Sequence, residues 1–190
     1  MIAISGSSGV GKSTILNILR EHGHFAVSRK TSRSILSEWG VTLDEVNSSP
    51  TKCMRFQSEI LNRKIHDDFN VNDSSIDLTE RSTLDLAAMA IIQLSMYNQC
   101  SAWLDQYVQD CIREAKRYDH IIHLVRNRST SQNDGVRPTS IWYSTAVDVL
   151  IQKLAIDNSI NFTVCEIVDS SRPQDTVHTI MKTCGLEIKQ

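Results

Sequence analysis

Residues 6–13 (Gly-Ser-Ser-Gly-Val-Gly-Lys-Ser) have the types and spacing that suit a bound triphosphate. The glycines allow backbone conformations that other residues avoid, so successive N–H groups can point at one anion. Lys12 can place a positive charge at the β- and γ-phosphates, and the Ser13 hydroxyl suits Mg²⁺. An apolar strand precedes the segment, and a helix with its positive dipole end follows. The pattern predicts a P-loop that exposes Lys12 and binds a nucleoside triphosphate through Gly6, Ser8, Gly9, Val10, Gly11, Lys12, Ser13 and Thr14.

A carboxylate and a guanidinium stand side by side after the predicted strand 76–79, in which Asp77 alternates with Ile76 and Leu78. Phosphoryl transfer to a hydroxyl needs a carboxylate that orients the hydroxyl proton or holds the metal, and a cation for the equatorial oxygens. We predict these roles for Glu80 and Arg81, with Glu80 and Ser13 as Mg²⁺ ligands. Asp77 is either a metal carboxylate, the base itself or a buried hydrogen-bonded residue, and Asp85 is the next candidate base. Asp85 also fits a capping role with Ser82 at the start of the following helix.

More arginines follow the apolar segment 120–125. Small kinases close an arginine-bearing lid over the triphosphate, which excludes water and neutralises charge. We therefore predict a lid over about residues 126–139, in which Arg126 and Arg128 bind the nucleotide and Arg137 acts in catalysis. The alternative is a solvated loop with incidental arginines.

A basic segment follows the second apolar stretch, at residues 28–33. Its three cations, Arg29, Lys30 and Arg33, stand among three hydroxyl side chains and suit a second phosphate group. We predict that they bind the substrate, and that Trp39 offers a stacking surface for a base. A solvated helix start and a core tryptophan are the alternatives.

The elements that must position these residues alternate along the chain. Short apolar segments predict strands at 1–5, 25–28, 76–79, 120–125 and 162–168. Helical spacing predicts helices at 13–22, 31–39, from 50 through 65, 83–97, 102–117, 140–157 and 173–183. Strands separated by helices imply right-handed crossovers. We expect one domain over residues 1–190, an α/β P-loop NTPase sandwich of three layers with a five-stranded parallel sheet and helices on both faces.

Composition narrows the function classes. A chain of 190 residues with 41% hydrophobic residues is ordinary for a globular protein, and the net charge of −2 disfavours nonspecific coating of nucleic acid. Five cysteines without paired spacing predict reduced thiols and a cytoplasmic protein, in the host cytoplasm if a phage encodes it. No apolar run has the length of a membrane span. Spacing also predicts ion pairs on a helix surface among Glu59, Arg63, Lys64 and Asp67.

Several of these motifs resemble known kinases. Glu80-Arg81-Ser82 resembles the strand end of nucleoside and nucleotide kinases, and the run 134–137 (Asp-Gly-Val-Arg) resembles the lid of small AAA-type ATP-binding proteins that include ribosylnicotinamide kinases. Together with segments 28–36, 41–47 and 56–61, these motifs resemble phage P-loop kinases that phosphorylate 5-hydroxymethyluracil within DNA. The similarity covers about residues 1–170. It implies an ATP- and Mg²⁺-dependent kinase whose partner is DNA with a hydroxymethylated pyrimidine, taken single-stranded or with its base flipped out.

Other acceptors remain open at this point. Guanylate-type kinases grip a phosphorylated acceptor with a similar Ser/Thr/Arg-rich segment. Deoxynucleoside kinases tend to place a carboxylate after the second strand, which this sequence lacks, and this departure disfavours a neutral nucleoside. Free nucleoside monophosphates, deoxynucleosides and ribosylnicotinamide are the alternative substrates. A non-kinase ATPase or nucleotide switch is the alternative class, although an orienting glutamine for water cannot be placed.

Overall fold

Five parallel strands form one sheet in the order β2-β3-β1-β4-β5. The computed structural model describes residues 1–27, 31–70, 76–125, 140–167 and 171–186. The strands are β1 (Ile2–Ser5), β2 (Phe25–Val27), β3 (Ile76–Glu80), β4 (His120–Val125) and β5 (Phe162–Glu166). The predicted parallel α/β arrangement is confirmed, and β3 extends one residue further than predicted, so that Glu80 is its last residue.

The helices lie close to their predicted bounds. They are α1 (Lys12–Glu21), α2 (Thr31–Trp39), α3 (Leu43–Asn47), α4 (Pro50–Ile65), α5 (Thr83–Leu94), α6 (Ser101–Ala115), α7 (Ile141–Asp157) and α8 (Pro173–Cys184). A π-helical turn, His66–Asn70, continues α4, and a 3₁₀ turn, Asn98–Cys100, precedes α6.

Helix α3, the π-helical turn and the 3₁₀ turn are elements that the sequence did not predict. Helix α3 has five residues, too few for a periodic pattern, and a capping box fixes its start. The Thr42 N–H donates to Glu45 Oε2 at 2.7 Å, and the Glu45 N–H donates to Thr42 Oγ1 at 3.2 Å. Thr42 and Glu45 are three residues apart, so local hydrogen bonds hold the start of this short helix.

Helices cover both faces of the sheet because side chains alternate along each strand. Ile4 of β1 packs in a cluster with α1 and α8, whereas Ala3 packs on the opposite face with α5, α6 and α7. Helices α2, α3 and α4 pack against α5 and α6 in a third apolar cluster. Helix α5 therefore lies between two clusters, and Leu84 and Ala88 are fully buried, as its apolar sequence predicts.

The sheet brings three strand ends to one edge. In the parallel register Ile4 pairs with Glu80 and Ser5 pairs with His123, so β1, β3 and β4 end together. Ligands of open α/β sheets bind outside this carboxyl edge. The segment 6–13 leaves β1 at the same edge.

All five cysteines are free thiols, and four of them are buried. Within the described part of the chain, no helix combines the length and apolarity needed to cross a membrane.

Candidate functional site

The loop from Gly6 to Gly11 turns sharply between β1 and α1. Gly6 has φ +134°, and a Cβ on it would lie 2.5 Å from the Leu124 carbonyl oxygen. Gly11 has φ +103° and forms the N-cap of α1, which begins at Lys12. Glycine is therefore required at Gly6 by space and backbone conformation together. The positive dipole end of α1 faces the same loop.

Lys12 is folded back onto its own loop. Its side-chain ammonium donates to the carbonyl oxygens of Gly6 at 2.8 Å and Ser7 at 2.7 Å. The residue is only 4% exposed, so the prediction of an exposed lysine is wrong. Burial, followed by the nearby Arg81 guanidinium, lowers the pKa of Lys12 to about 7. A bound phosphate would offer the Lys12 ammonium fully charged acceptor oxygens in place of these two carbonyl oxygens.

Ser13 and Glu80 meet across the opening of the loop. The exposed Ser13 hydroxyl lies 3.3 Å from each carboxylate oxygen of Glu80. A hydroxyl and a carboxylate are hard oxygen ligands, and Mg²⁺ in proteins is typically held by one or two carboxylates together with substrate phosphates. The pair therefore fits the predicted Mg²⁺ site.

A cavity of about 250 Å³ joins most of the predicted nucleotide site. Two predicted residues lie beneath it: Gly6 at the sharp turn and Val10, whose side chain is buried in the core. The cavity is lined by Ser8, Gly9, Gly11, Lys12, Ser13, Thr14, Glu80 and Arg81. The structure thus brings the loop and the Glu80–Arg81 pair into one space.

Arg81 reaches across the loop from a strained backbone. Its φ is +66°, a left-handed conformation that costs a non-glycine residue of order 1 kcal/mol. The Arg81 guanidinium donates to Ser8 Oγ at 3.3 Å and Asp85 Oδ1 at 3.2 Å. It also lies 3.4 Å from Gly6 O, which the Lys12 ammonium contacts too. Two basic side chains, Lys12 and Arg81, therefore converge on the loop.

Asp85 anchors the base of the loop. Burial opposes its charge, yet the Arg81 and Lys12 cations and the donated hydrogen bonds lower the pKa of this carboxyl below its usual range. It is fully buried and accepts from Ser5 Oγ at 2.7 Å, Ser82 N at 2.8 Å and Gly6 N at 3.2 Å. The predicted cap with Ser82 is found. A carboxylate with so many donors is a structural anchor, which disfavours Asp85 as a base.

Sequence reasoning missed a second polar contact beneath the loop. His123 is fully buried on β4, and its Nδ1 lies 3.3 Å from Ser5 Oγ. Its Nε2 lies 3.4 Å from Asp148 Oδ1, within ion-pair distance but without hydrogen-bond alignment. Asp148 of α7 also accepts from the Ser7 N–H at 2.9 Å. Only the fold brings α7 to this loop, so the sequence offered no signal for Asp148.

The structure places the remaining predicted residues unevenly. Asp77 lies on β3, and its role stays a prediction. Five further predicted residues lie outside the described part of the chain. They are Arg126, Arg128 and Arg137 of the predicted lid (126–139), and Arg29 and Lys30 of the basic segment. These roles stay predictions as well.

Helix α2 carries the last two predicted substrate residues. Arg33 is half-buried near the start of α2. Trp39 packs edge-on against Phe56, with ring centroids 6.0 Å apart, and the Arg55 guanidinium lies 4.7 Å from its ring centroid. These contacts favour the packing alternative for Trp39, because one ring face already holds a cation.

Comparison with known families agrees with this geometry. A family model described as an AAA domain matches residues 1–171. The chain belongs to the AAA domain family. A search of curated proteins finds no match for this AAA-domain chain.

Solved structures similar to this AAA-domain chain include a NadR protein and two kinases. A NadR protein in complex with NAD and AMP-PNP is 11% identical, with a TM-score of 0.67 over 100% of this chain and 50% of the other. Deoxyadenosine kinase from M. mycoides with bound dCTP is 15% identical, with a TM-score of 0.67 over 97% and 98% of the two chains. Shikimate kinase from Acinetobacter baumannii in complex with shikimate is 12% identical, with a TM-score of 0.56 over 99% and 94%. The chain spans about half the length of the NadR protein. At these identities the likeness shows a shared fold.

Proposed function

We propose that this protein is an ATP-dependent phosphotransferase that transfers the γ-phosphoryl group to a hydroxyl. The observation that carries the proposal is the single cavity in which the P-loop residues Lys12 and Ser13 meet Glu80 and Arg81. The cavity holds the chemical groups that phosphoryl transfer needs: backbone donors and cations for the phosphates, and a carboxylate beside a hydroxyl. The fold shared with solved kinases supports this reaction class.

The charge of each side chain indicates its proposed role in the reaction. An incoming triphosphate competes with Gly6 O for the Lys12 ammonium and the Arg81 guanidinium, and charge-assisted bonds to phosphate are stronger than bonds to a neutral carbonyl. Glu80 orients the acceptor hydroxyl or holds the metal beside Ser13. Mg²⁺, when bound, neutralises charge on the phosphate oxygens. Asp85 holds both the loop and Arg81, because its carboxylate accepts hydrogen bonds from the Gly6 N–H and the Arg81 guanidinium.

Two kinds of acceptor are candidates for the proposed reaction. The sequence resemblance supports the 5-hydroxymethyl group of 5-hydroxymethyluracil in DNA. The compact fold shared with M. mycoides deoxyadenosine kinase, which covers nearly the whole of both chains, supports a free nucleoside or nucleotide. The basic residue Arg33 suits an acceptor that carries phosphate, which is DNA or a free nucleotide and not a neutral nucleoside.

One labelling experiment tests the reaction and the acceptor together. The protein is incubated with [γ-³²P]ATP and Mg²⁺ in the presence of hydroxymethylated DNA, canonical DNA, free nucleotides or nucleosides, including ribosylnicotinamide. Label is expected in one hydroxyl acceptor, and Glu80→Gln is expected to reduce the transfer. Release of labelled phosphate without transfer to any acceptor would favour the ATPase or switch class instead.

A further inference from the structure

A buried ion pair lies behind the Glu80–Arg81 pair. Lys64 and Asp68 are 8% and 6% exposed, and the Lys64 ammonium lies 2.9 Å from Asp68 Oδ2. Spacing predicted a surface position for Lys64, and this prediction is wrong. Lys64 follows Ile60 and Leu61 by one helical turn, so it lies on the apolar face of α4. The π-helical turn carries Asp68 to the same place.

The Lys64 ammonium has two further acceptors, and both are on β3. It donates to Thr79 Oγ1 at 2.7 Å and to the Glu80 carbonyl oxygen at 2.9 Å. Asp68 in turn accepts from Thr79 Oγ1 at 2.9 Å and from the Tyr118 hydroxyl at 2.6 Å. Charged groups at this depth lose hydration, and a buried ion pair is by itself weak grounds for a purely stabilising role.

The peptide group between Glu80 and Arg81 is bonded at both of its polar ends. Its carbonyl accepts from Lys64 at 2.9 Å, and its N–H donates to the Ile4 carbonyl at 2.9 Å. Within the described residues, the pairing of β2 with β3 runs as far as Thr79, one residue earlier. Among the described contacts, Lys64 holds this peptide plane on one side and β1 holds it on the other.

The same peptide determines where both proposed functional side chains point. Arg81 holds φ +66°, and surrounding contacts must maintain such a conformation. Rotation of the peptide would relax Arg81 and move its guanidinium away from Ser8. It would also redirect the Glu80 carboxylate, which now lies 3.3 Å from the Ser13 hydroxyl.

We propose that Lys64 is a positioning residue that fixes the Glu80–Arg81 peptide so that both side chains face the phosphate cavity. This inference rests on the proposed function of Glu80 and Arg81. Asp68 accepts from the Lys64 ammonium, and Tyr118 donates to Asp68. Neither of these hydrogen bonds involves the Glu80–Arg81 peptide. The positioning role therefore belongs to one hydrogen bond, from Lys64 to the Glu80 carbonyl, and not to the rest of the buried cluster.

The test compares variants that break this bond with variants that spare it. Lys64→Met is placed in an Asp68→Asn background, so that no buried carboxylate loses its cation. Asp68→Asn alone and Tyr118→Phe are the matched controls, because they disturb the same cluster and leave Lys64 with the Glu80 carbonyl. If the double variant does not fold, Lys64→Met with Asp68→Leu replaces it, since apolar replacement of a buried pair is often tolerated.

Two readouts are taken on the folded fraction of each protein. The first is hydrogen exchange at the Arg81 amide, which needs no substrate. The second is kcat, with KM for ATP measured alongside. The Lys64→Met variants are expected to exchange the Arg81 amide faster than other β3 amides and to lose about 10- to 100-fold in kcat, because small misplacements of reacting groups have effects of that size. KM for ATP should change less, and the controls should keep both readouts near wild type.

The outcomes are separable from those of the proposed function. Unchanged Arg81 exchange and kcat in the Lys64→Met variants would overturn the positioning role. An equal change in Tyr118→Phe would also overturn it, since a general loss of stability would then explain the effect. If the wild-type protein labels no acceptor, the proposed function fails, and exchange at the Arg81 amide still decides whether Lys64 fixes the peptide.

Discussion

At the scale of single residues, the lysine of the P-loop is already buried against its own loop in the absence of a nucleotide. The Lys12 ammonium is turned inward onto Gly6 O and Ser7 O, and the Arg81 guanidinium shares the first of these oxygens. Two cations this close to each other and to the core make protonation of Lys12 less favourable. Nucleotide binding should therefore be linked to the protonation of this one lysine.

We expect ATP binding to take up a proton above pH 7. The pKa of Lys12 in the free protein is about 7 because burial and Arg81 disfavour its charge, whereas triphosphate favours the ammonium and raises the pKa. The complex therefore holds more protons than the free protein, and affinity falls as pH rises above 7. Calorimetry in buffers of different ionisation enthalpy measures this uptake. The control Lys12→Arg, whose guanidinium does not titrate in this range, should lose the linkage; equal uptake in both proteins would contradict the prediction.

Lys12→Ala should abolish phosphoryl transfer and leave the protein folded. The removed charge acts on the phosphates in the transition state, and the bonds that are lost are those from Lys12 to its own loop. Transfer to the labelled acceptor and the urea unfolding midpoint are measured together. Lys153→Ala, which removes an exposed cation of α7 that is paired with Asp157, is the control. Wild-type turnover in Lys12→Ala would contradict the P-loop assignment.

Glu80→Gln should lower kcat by about 10²- to 10⁴-fold, the usual contribution of a positioned acid or base. Glutamine keeps the size of the side chain and removes the negative charge that faces Ser13. Steady-state kinetics with ATP binding measured in parallel separates chemistry from affinity. If ATP binds and kcat is nearly unchanged, the base lies elsewhere, and Asp77 is the next residue to test.

At the scale of the elements, the sharp exit from β1 determines whether the loop can form. Gly6→Ala should destabilise the protein by about 3 kcal/mol, because the new Cβ meets a backbone oxygen and its φ is unfavourable. Gly40, with φ +63° and open space around it, is the matched control, and Gly40→Ala should cost only about 1 kcal/mol. Urea unfolding measures both. Similar losses in the two variants would show that the close approach to Leu124 is tolerated.

The elements also show which parts of the site a sequence can predict. The P-loop and the Glu80–Arg81 pair were predictable because each is contiguous in the chain and follows an apolar strand. The contact of His123 with Asp148 was not, since α7 and β4 meet only after the sheet has formed. Lys64 shows a different limit: its spacing from other charged residues suggested a surface ion pair, whereas its place in the helical period, after Ile60, indicates the interior. The period was the better guide.

At the scale of the whole molecule, charge distribution bears on the acceptor. The net charge of −2 gives no general attraction to DNA. Affinity for DNA would have to come from a local basic segment, of which Arg33 is the described member on α2. Contacts with several backbone phosphates release counterions, so binding to DNA weakens steeply with salt, whereas one phosphate on a free nucleotide gives a weaker dependence.

If the acceptor is DNA, KM for hydroxymethyluracil-containing DNA should rise steeply with salt concentration. Arg33→Ala should raise this KM further and should reduce the slope of log KM against log salt concentration by about one. KM for ATP should change little, because Arg33 belongs to the basic segment after β2 and not to the P-loop. Arg113→Ala, which removes an exposed cation of α6, should leave the slope unchanged.

For a free nucleoside monophosphate, the salt slope should be shallow, and Arg33→Ala should weaken one compact site strongly. A neutral nucleoside should respond little to either change. Label that enters only the free monophosphate, when both acceptors are supplied, would reject DNA as the substrate.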